Sequence, residues 1–201
     1  MKKRTAASLA LALVLTLVCA VSLDWEQRAL SDKLIRLHVV GASNSNADQN
    51  LKLKIKDEIL LYLRPILEEA GSSDEAAEIV SENLENISAV AENTGKKYGR
   101  SVTVKSEIKK EAFPTRGYDT FSLPAGYYTS LRVTIDGGAG KNWWCVVYPD
   151  VCADLAVDGE NYEELGLTED EAGLITRRGG YEIKFRLIEV IENLKIAIFG
   201  K

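Results

Sequence analysis

The chain has one histidine among its 201 residues, and this scarcity limits the chemistry that the sequence can support. A serine or cysteine catalytic triad needs a histidine with suitable partners, and a multi-histidine metal site needs several. His38 lies instead in a run of β-branched and aliphatic residues, which is typical of a strand. We interpret His38 as an ordinary residue of a sheet and predict no catalytic residue, no metal site and no cofactor.

Basic residues are also in deficit, with 25 lysines and arginines against 30 acidic residues and a formal charge of -5. Loss of residues 1–22 would remove Lys2, Lys3 and Arg4 and bring the charge to -8. Nucleic-acid binding requires a basic patch that neutralises phosphates, and an anionic membrane surface attracts the same charge. The sequence therefore predicts no nucleic-acid partner, and membrane contact only through the N-terminal segment.

Two other arrangements that could carry chemistry lack required parts. The glycine-rich segment 136–142 is not a phosphate-binding loop, because Ile135 occupies the first glycine position and Asn142 replaces serine or threonine. Adjacent acids on the predicted helices diverge, which is typical of a solvated surface. A glycan-acting hydrolase with acids from distant segments stays the alternative, because Trp143 or Trp144 could stack on a sugar.

The N-terminal segment has the three parts of an export signal. Lys2-Lys3-Arg4 is a positive region, residues 6–20 are uncharged and mostly apolar, and Ala20-Val21-Ser22 offers small residues for a signal peptidase. We predict that residues 1–22 are a signal peptide. The apolar run is somewhat shorter than the about 20 residues of a membrane span, so an uncleaved anchor is the second interpretation.

Residues 23–33 are interpreted as a polar linker, and residues 34–201 as a single domain. The glycine-rich turn favours a hairpin between the last two predicted strands. A strand is the alternative to the last predicted helix, because the apolar residues from Tyr181 fit both the two-residue period of a strand and the 3.6-residue period of a helix. The sequence therefore predicts an α+β domain, in which a small antiparallel sheet packs with three to four helices. Helices are predicted over residues 47–70, 74–95, 169–175 and 181–194, and strands over residues 34–40, 102–108, 128–135 and 143–148.

Residues 113–152 contain two of the three tryptophans and three of the four prolines. The adjacent Trp143 and Trp144 point to opposite faces of a strand, so one ring can be exposed. An exposed tryptophan near basic residues is typical of a contact with a protein partner. The competing interpretation buries both rings under helices and uses Arg116 to satisfy a buried acid. We predict that one partner-binding face contains Arg116, Tyr118, Lys141, Asn142, Trp143 and Trp144.

Cys145 and Cys152 are predicted to form a disulfide bond. An exported chain tolerates such bonds, and Cys19 lies in the signal segment, which leaves an even pair. On the chain-entropy model, closing this short loop would stabilise the domain by roughly 2 to 3 kcal/mol. Two buried thiols, or an exposed redox or metal pair, are the alternatives.

Several phrases of the sequence resemble the stage II sporulation protein R family of endospore-forming bacteria. The resemblance spans roughly residues 34 to 195, and its most specific part is the block Asn142-Trp143-Trp144-Cys145. The phrases are HVV at 38–40, DQNLK at 48–52, TRGY at 115–118, LPAGYY at 123–128 and GAGKNWWCV at 138–146.

This resemblance implies a signalling protein and not an enzyme. Members of the family are made in the forespore and exported toward the space between forespore and mother cell. They are required there to activate a membrane-embedded aspartic peptidase, which processes the precursor of sigma-E. We therefore expect a secreted protein whose partner is this peptidase. A secreted cell-wall or glycan-acting hydrolase, or a glycan-binding module, is the alternative.

Overall fold

The computed structural model describes residues 2–118, 121–149, 166–177 and 181–199. These residues form six helices and six strands, which confirms the predicted α+β class. The helices are α1 (Lys2–Asp32), α2 (Asn46–Leu67), α3 (Ser73–Glu82), α4 (Leu84–Lys97), α5 (Glu169–Thr176) and α6 (Tyr181–Phe199). The strands are β1 (Ile35–Val40), β2 (Val104–Phe113), β3 (Arg116–Gly117), β4 (Ser122–Leu123), β5 (Gly126–Ile135) and β6 (Asn142–Tyr148).

Four strands form the central sheet in the order β2-β5-β1-β6, and β3 pairs with β4 in a separate ribbon. β1 runs parallel to β5 and antiparallel to β6, while β2 runs antiparallel to β5. The sheet is therefore mixed, which corrects the expectation of a wholly antiparallel sheet. The reason is topological, because β1 comes from the N-terminal part of the chain and lies between two strands that are consecutive in sequence.

The glycine-rich turn crosses the end of β1 and does not close a hairpin, contrary to the sequence prediction. β5 and β6 are not neighbours, because β1 separates them. The Gly140 N–H donates to the Gly41 carbonyl at 2.7 Å, and the Gly41 N–H donates to the Lys141 carbonyl at 3.4 Å. A Cβ on Gly140 would collide with the Ser43 carbonyl group and lie 2.8 Å from the Gly41 carbonyl oxygen. Only glycine therefore fits at this crossing.

The sheet is covered on both faces, and the alternation along β1 decides what each face carries. Ile35, Leu37 and Val39 join a buried apolar cluster with residues of α2, α3 and α4. The opposite face is covered by α1, α5 and α6, which contribute to a second apolar cluster. Arg36 and His38 belong to this second face by alternation, and both are buried. One face of β1 is therefore aliphatic, and the other carries buried charge.

Two helices over the aliphatic face, α2 and α3, begin at serine caps. The Ser45 hydroxyl accepts from the Asp48 N–H at the start of α2, and the Ser72 hydroxyl accepts from the Glu75 N–H at the start of α3. Each such cap contributes about 1 kcal/mol to helix stability. α2 carries a four-residue apolar repeat that is buried throughout, and it consists of Ile55, Ile59, Leu63 and Leu67.

The observed bounds differ by a few residues from the predicted ones, and three elements show the larger changes. The helix predicted over residues 74–95 divides into α3 and α4 at Asn83, whose φ of -103° and ψ of 9° interrupt the helical path. The strand predicted over residues 102–108 continues to Phe113, because β5 pairs with all of β2. The last predicted element is confirmed as a helix from Tyr181, and it extends to Phe199.

Residues 23–33 are not the polar linker that the sequence suggests, because α1 continues through them to Asp32. Leu23, Gln27 and Leu30 are buried against the second face of the sheet. Their spacing of three and four positions puts them on one side of α1. Every described side chain before Leu23 is exposed or half-buried, so the packed part of the domain begins at this residue.

Candidate functional site

The two adjacent tryptophans of β6 point to opposite faces of the sheet. Trp143 is 37% exposed, and Nζ of Lys56 in α2 lies 5.2 Å from its ring centroid. Trp144 is half-buried on the second face, where its ring stacks on His38 with 3.8 Å between the ring centroids. Phe113 meets Trp144 edge to face at 4.6 Å. Trp143 is therefore the accessible ring, and Trp144 is fixed by its aromatic neighbours.

The β3–β4 ribbon brings Arg116 to Trp144. Arg116 is exposed, and its Cζ lies 5.8 Å from the centroid of the Trp144 ring. This distance is within the range of a cation–π contact, which is worth roughly 0.5 to 1 kcal/mol at an exposed site. Tyr118 is half-buried, and its hydroxyl accepts a hydrogen bond from Nη2 of Arg36 at 2.9 Å. Tyr118 thus holds the ribbon on the sheet, while Arg116 presents a charge to solvent.

Arg36 is fully buried below this ribbon. Its Cζ lies 4.2 Å from the ring centroid of Phe113 and 4.9 Å from that of Tyr128. Burial raises the pKa of Tyr128 to about 12, although the positive charge of Arg36 opposes this shift. In the part of the chain that the structure describes, Nε and Nη1 of Arg36 have no hydrogen-bond partner. Aromatic faces and the Tyr118 hydroxyl therefore hold the guanidinium.

Lys141 and Asn142 are exposed where the glycine turn enters β6. The backbone here is fixed, because the Lys141 N–H donates to Oδ1 of Asn44 at 2.9 Å and the Lys141 carbonyl accepts from Nζ of Lys52 at 2.9 Å. The site predicted from sequence thus surrounds one edge strand, but the sheet divides it between two faces and does not leave one continuous face. We call it the β6 surface, and its residues are Arg116, Tyr118, Lys141, Asn142, Trp143 and Trp144.

A buried polar network on the second face was not predicted from sequence. Nδ1 of His38 lies 2.9 Å from Oε1 of Glu111, and the Ser130 hydroxyl donates to the same oxygen at 2.8 Å. Nη1 of Arg132 donates to the other carboxylate oxygen at 3.1 Å. The alternation of charged and aliphatic residues along β1 is the signal that could have revealed it. His38 and Ser130 both bind Glu111, so His38 is not placed to activate the Ser130 hydroxyl.

The carboxylate of Glu111 is held in its ionised form. Burial alone would raise its pKa, but the hydrogen bonds from His38 and Ser130 and the positive charge of Arg132 lower the pKa to about 2. A carboxylate with so low a pKa is a poor proton donor near neutral pH. The network therefore links β1, β2 and β5 electrostatically and is not arranged for general acid catalysis.

Glu111→Gln is expected to lower the unfolding free energy by roughly 2 to 3 kcal/mol at pH 7, because a shift of one pKa unit corresponds to about 1.4 kcal/mol. The folded-state pKa is depressed, so this stability is present above about pH 4.5 and is lost as pH falls toward 2. Urea denaturation at pH 7 and pH 3 measures both effects. Glu107→Gln on the same strand is the control, because its carboxylate pairs with lysines near the surface and contributes less. Equal losses for the two variants would contradict this assignment.

The remaining predicted groups are placed as follows. Cys145 is buried in β6, and Cys152 lies outside the described residues, so the disulfide bond stays a prediction. Among the residues that the structure describes, no three histidine, cysteine, aspartate or glutamate side chains are grouped to hold a metal ion.

Within the described part of the chain, one helix segment is long and apolar enough to cross a membrane. It spans Ala7–Asp32, with a mean hydropathy of 2.2 and none of its most apolar window buried.

The fold and the site define an α+β domain that follows an apolar helix and presents aromatic and basic residues around an edge strand. The family model of Stage II sporulation protein R matches residues 31–157. This range includes the central sheet, α2, α3, α4 and the whole β6 surface. The chain therefore belongs to the stage II sporulation protein R family and is a sporulation protein.

A curated relative supports the same assignment. The chain is 33% identical over 135 residues to Stage II sporulation protein R of Bacillus subtilis (strain 168), and the aligned part is 67% of this chain. The alignment spans 60% of the length of that relative. No solved structure matches the chain.

Proposed function

We propose that the chain is an exported signalling protein that activates a membrane-embedded aspartic peptidase, which then processes the precursor of sigma-E. The proposed place of action is the space between forespore and mother cell. Membership of the stage II sporulation protein R family is the observation that carries this proposal. The exposed apolar part of α1 supports export, since it has the composition of a signal segment.

The arrangement of the β6 surface supports a protein contact. Aromatic residues and arginine are enriched where proteins bind one another, and lysine side chains form the rim of such contacts. Arg116 is accessible on the second face, where Trp144 and Tyr118 hold the backbone beneath it, and Trp143 is accessible on the other face of the same edge strand. The proposed contact therefore has exposed anchors on a rigid support, which reduces the entropy lost on binding.

The chemistry of the buried network favours signalling over catalysis. Ser130 is fully buried, and its hydroxyl hydrogen-bonds a carboxylate and not the histidine. Glu111 is stabilised as an anion by three neighbouring donors. Neither residue has the setting of a nucleophile or a general acid. We therefore propose that the chain acts on its partner by binding.

The direct test supplies the exported protein to vesicles that contain the candidate peptidase and the sigma-E precursor. Cleavage of the precursor is expected only when all three components are present. Vesicles that lack the peptidase are the control for cleavage by any other route. Precursor cleavage at the same rate without the exported protein would contradict the proposal.

The exported protein is expected to begin close to Leu23. The described side chains of residues 7–22 are exposed or half-buried, so cleavage before Leu23 leaves the first buried residue of the described domain in place. Intact mass measurement of the exported protein checks the position of its N-terminus. Recovery of a full-length chain that stays in the membrane fraction would favour the anchor.

A further inference from the structure

α6 carries a stripe of apolar side chains that are exposed in the described part of the chain. Their spacing of three or four positions places them on one side of the helix. Phe185 and Ile188, on the opposite side, are buried against the sheet. A continuous stripe of this kind marks an interaction surface, unlike scattered exposed apolar residues. The stripe consists of Ile183 (74% exposed), Leu187 (49%), Val190 (65%), Leu194 (59%) and Ile198 (58%). α6 lies beyond residues 31–157, so the match to the family does not explain it.

The charges around the stripe are balanced. α6 has three basic and three acidic residues. Two of its acidic residues form ion pairs with basic residues of the same helix. Arg186 pairs with Glu189 at 2.7 Å, and Nζ of Lys195 pairs with Glu192 at 2.7 Å. Burial raises the pKa of Glu192, and the charge of Lys195 opposes this shift. The stripe therefore offers an apolar surface without a net charge to select an anionic or a cationic partner.

The stripe lies beside the point where the apolar part of α1 leaves the domain. Lys184 and Lys195 occupy the side of α6 next to the stripe, and they pair with Glu26 and Asp24 of α1. Trp25 lies between these two acids in sequence and is 74% exposed. The described side chains of α1 before this point are mostly exposed and apolar. Two exposed apolar surfaces therefore meet at one corner of the domain.

We propose that the α6 stripe binds the surface of a lipid bilayer and lays α6 along the membrane beside the end of the apolar part of α1. A bilayer surface fits better than a second copy of the chain, because the stripe continues the exposed apolar surface of α1. Trp25 at the junction has the position that tryptophan prefers at a membrane interface. A helix with one exposed apolar side can lie in the interface plane with that side toward the acyl boundary. This contact adds to the membrane contact expected from the signal segment.

The test adds the full chain to phosphatidylcholine vesicles that contain no other protein. The vesicles contain brominated phosphatidylcholine as a fluorescence quencher. Val190→Trp adds an indole on the stripe, and Asn193→Trp adds one on the exposed polar side of the same helix turn. The signal of each added indole is obtained by subtracting the fluorescence of the unsubstituted chain. The indole at position 190 is expected to be quenched at least about twofold more than that at position 193, because only the apolar side enters the acyl boundary. Leu187→Trp gives a second stripe position if Val190→Trp lowers the folded fraction.

Equal quenching of the stripe and polar positions would overturn the proposal, because α6 would then stand clear of the bilayer. Sedimentation of the same variants identifies the other occupant. A dimer of the unsubstituted chain that Val190→Trp dissociates would assign the stripe to a second copy and would also overturn the proposal. These vesicles contain no peptidase, so a negative result here leaves the signalling proposal intact, and a failed activation assay leaves this one intact.

Discussion

Replacing Arg116 with alanine is expected to reduce activation of the peptidase by at least about thirtyfold, because truncation of a central anchor costs about 2 kcal/mol or more. The variant should stay folded, since Arg116 is exposed and its contact with Trp144 is a surface contact. Trp143→Ala is expected to have an effect of similar size. Trp144→Ala is a poor probe of the contact, because its ring supports His38 and Phe113. Precursor cleavage in the vesicle assay measures the activity of each variant.

Matched controls come from the end of α4, away from the β6 surface. Lys96→Ala removes an exposed positive charge, and Tyr98→Ala removes an aromatic ring that is 50% exposed. Both controls should activate the peptidase normally. Normal activation by folded and exported Arg116→Ala and Trp143→Ala would show that the partner binds elsewhere. Loss of folding in these variants would assign the two side chains to the core.

Gly140→Ala is expected to lower the unfolding free energy by about 3 to 5 kcal/mol, which is at the upper end of single substitutions. The new Cβ would collide with the Ser43 carbonyl group and crowd the Gly41 carbonyl oxygen. These are backbone atoms, so relief of the overlap requires a shift of the crossing itself. The hydrogen bond from Gly140 N–H to the Gly41 carbonyl would be lost in that shift. Thermal and urea denaturation measure the change.

Gly137→Ala in the same turn is the matched control. Nothing lies within 4 Å of a Cβ at Gly137, but its φ of +81° disfavours an L side chain. That cost is about 1 kcal/mol, so the control separates conformational strain from the steric collision. A similar loss of stability for both variants would mean that the backbone around Gly140 accommodates the added Cβ without the expected collision.

The helices were the most predictable part of the fold. The repeat Ile55, Ile59, Leu63 and Leu67 has helical spacing, and its burial against one face of the sheet confirms the period. From Tyr181 the sequence fits both a helix and a strand, and the predicted helix is confirmed. The helical period continues to Phe199, whereas the alternating pattern of a strand does not. Local periodicity therefore decided both elements.

The order of the strands could not be predicted in the same way. The glycines between Ile135 and Asn142 have the composition of a hairpin turn, and the same composition allows a crossing over a third strand. Pairing with β1 depends on residues about a hundred positions away, which no local pattern encodes. The polar network could not be predicted for the same reason, because His38, Glu111 and Ser130 come from three separate strands. The candidate residues around β6 were found by their composition, but their division between two faces required the strand to be placed.

The insertion of β1 between β5 and β6 also has a consequence for the proposed export. In the part of the chain that the structure describes, residues 35–40 pair with residues 129–134 and 142–148. In the proposed export from the N-terminus, β1 would emerge with no strand to pair with, and the central sheet could not close until residue 148 had followed. Contacts of such long sequence separation form slowly. The topology would thus keep the passing chain unfolded for most of its length and delay closure of the central sheet until the proposed export is nearly complete.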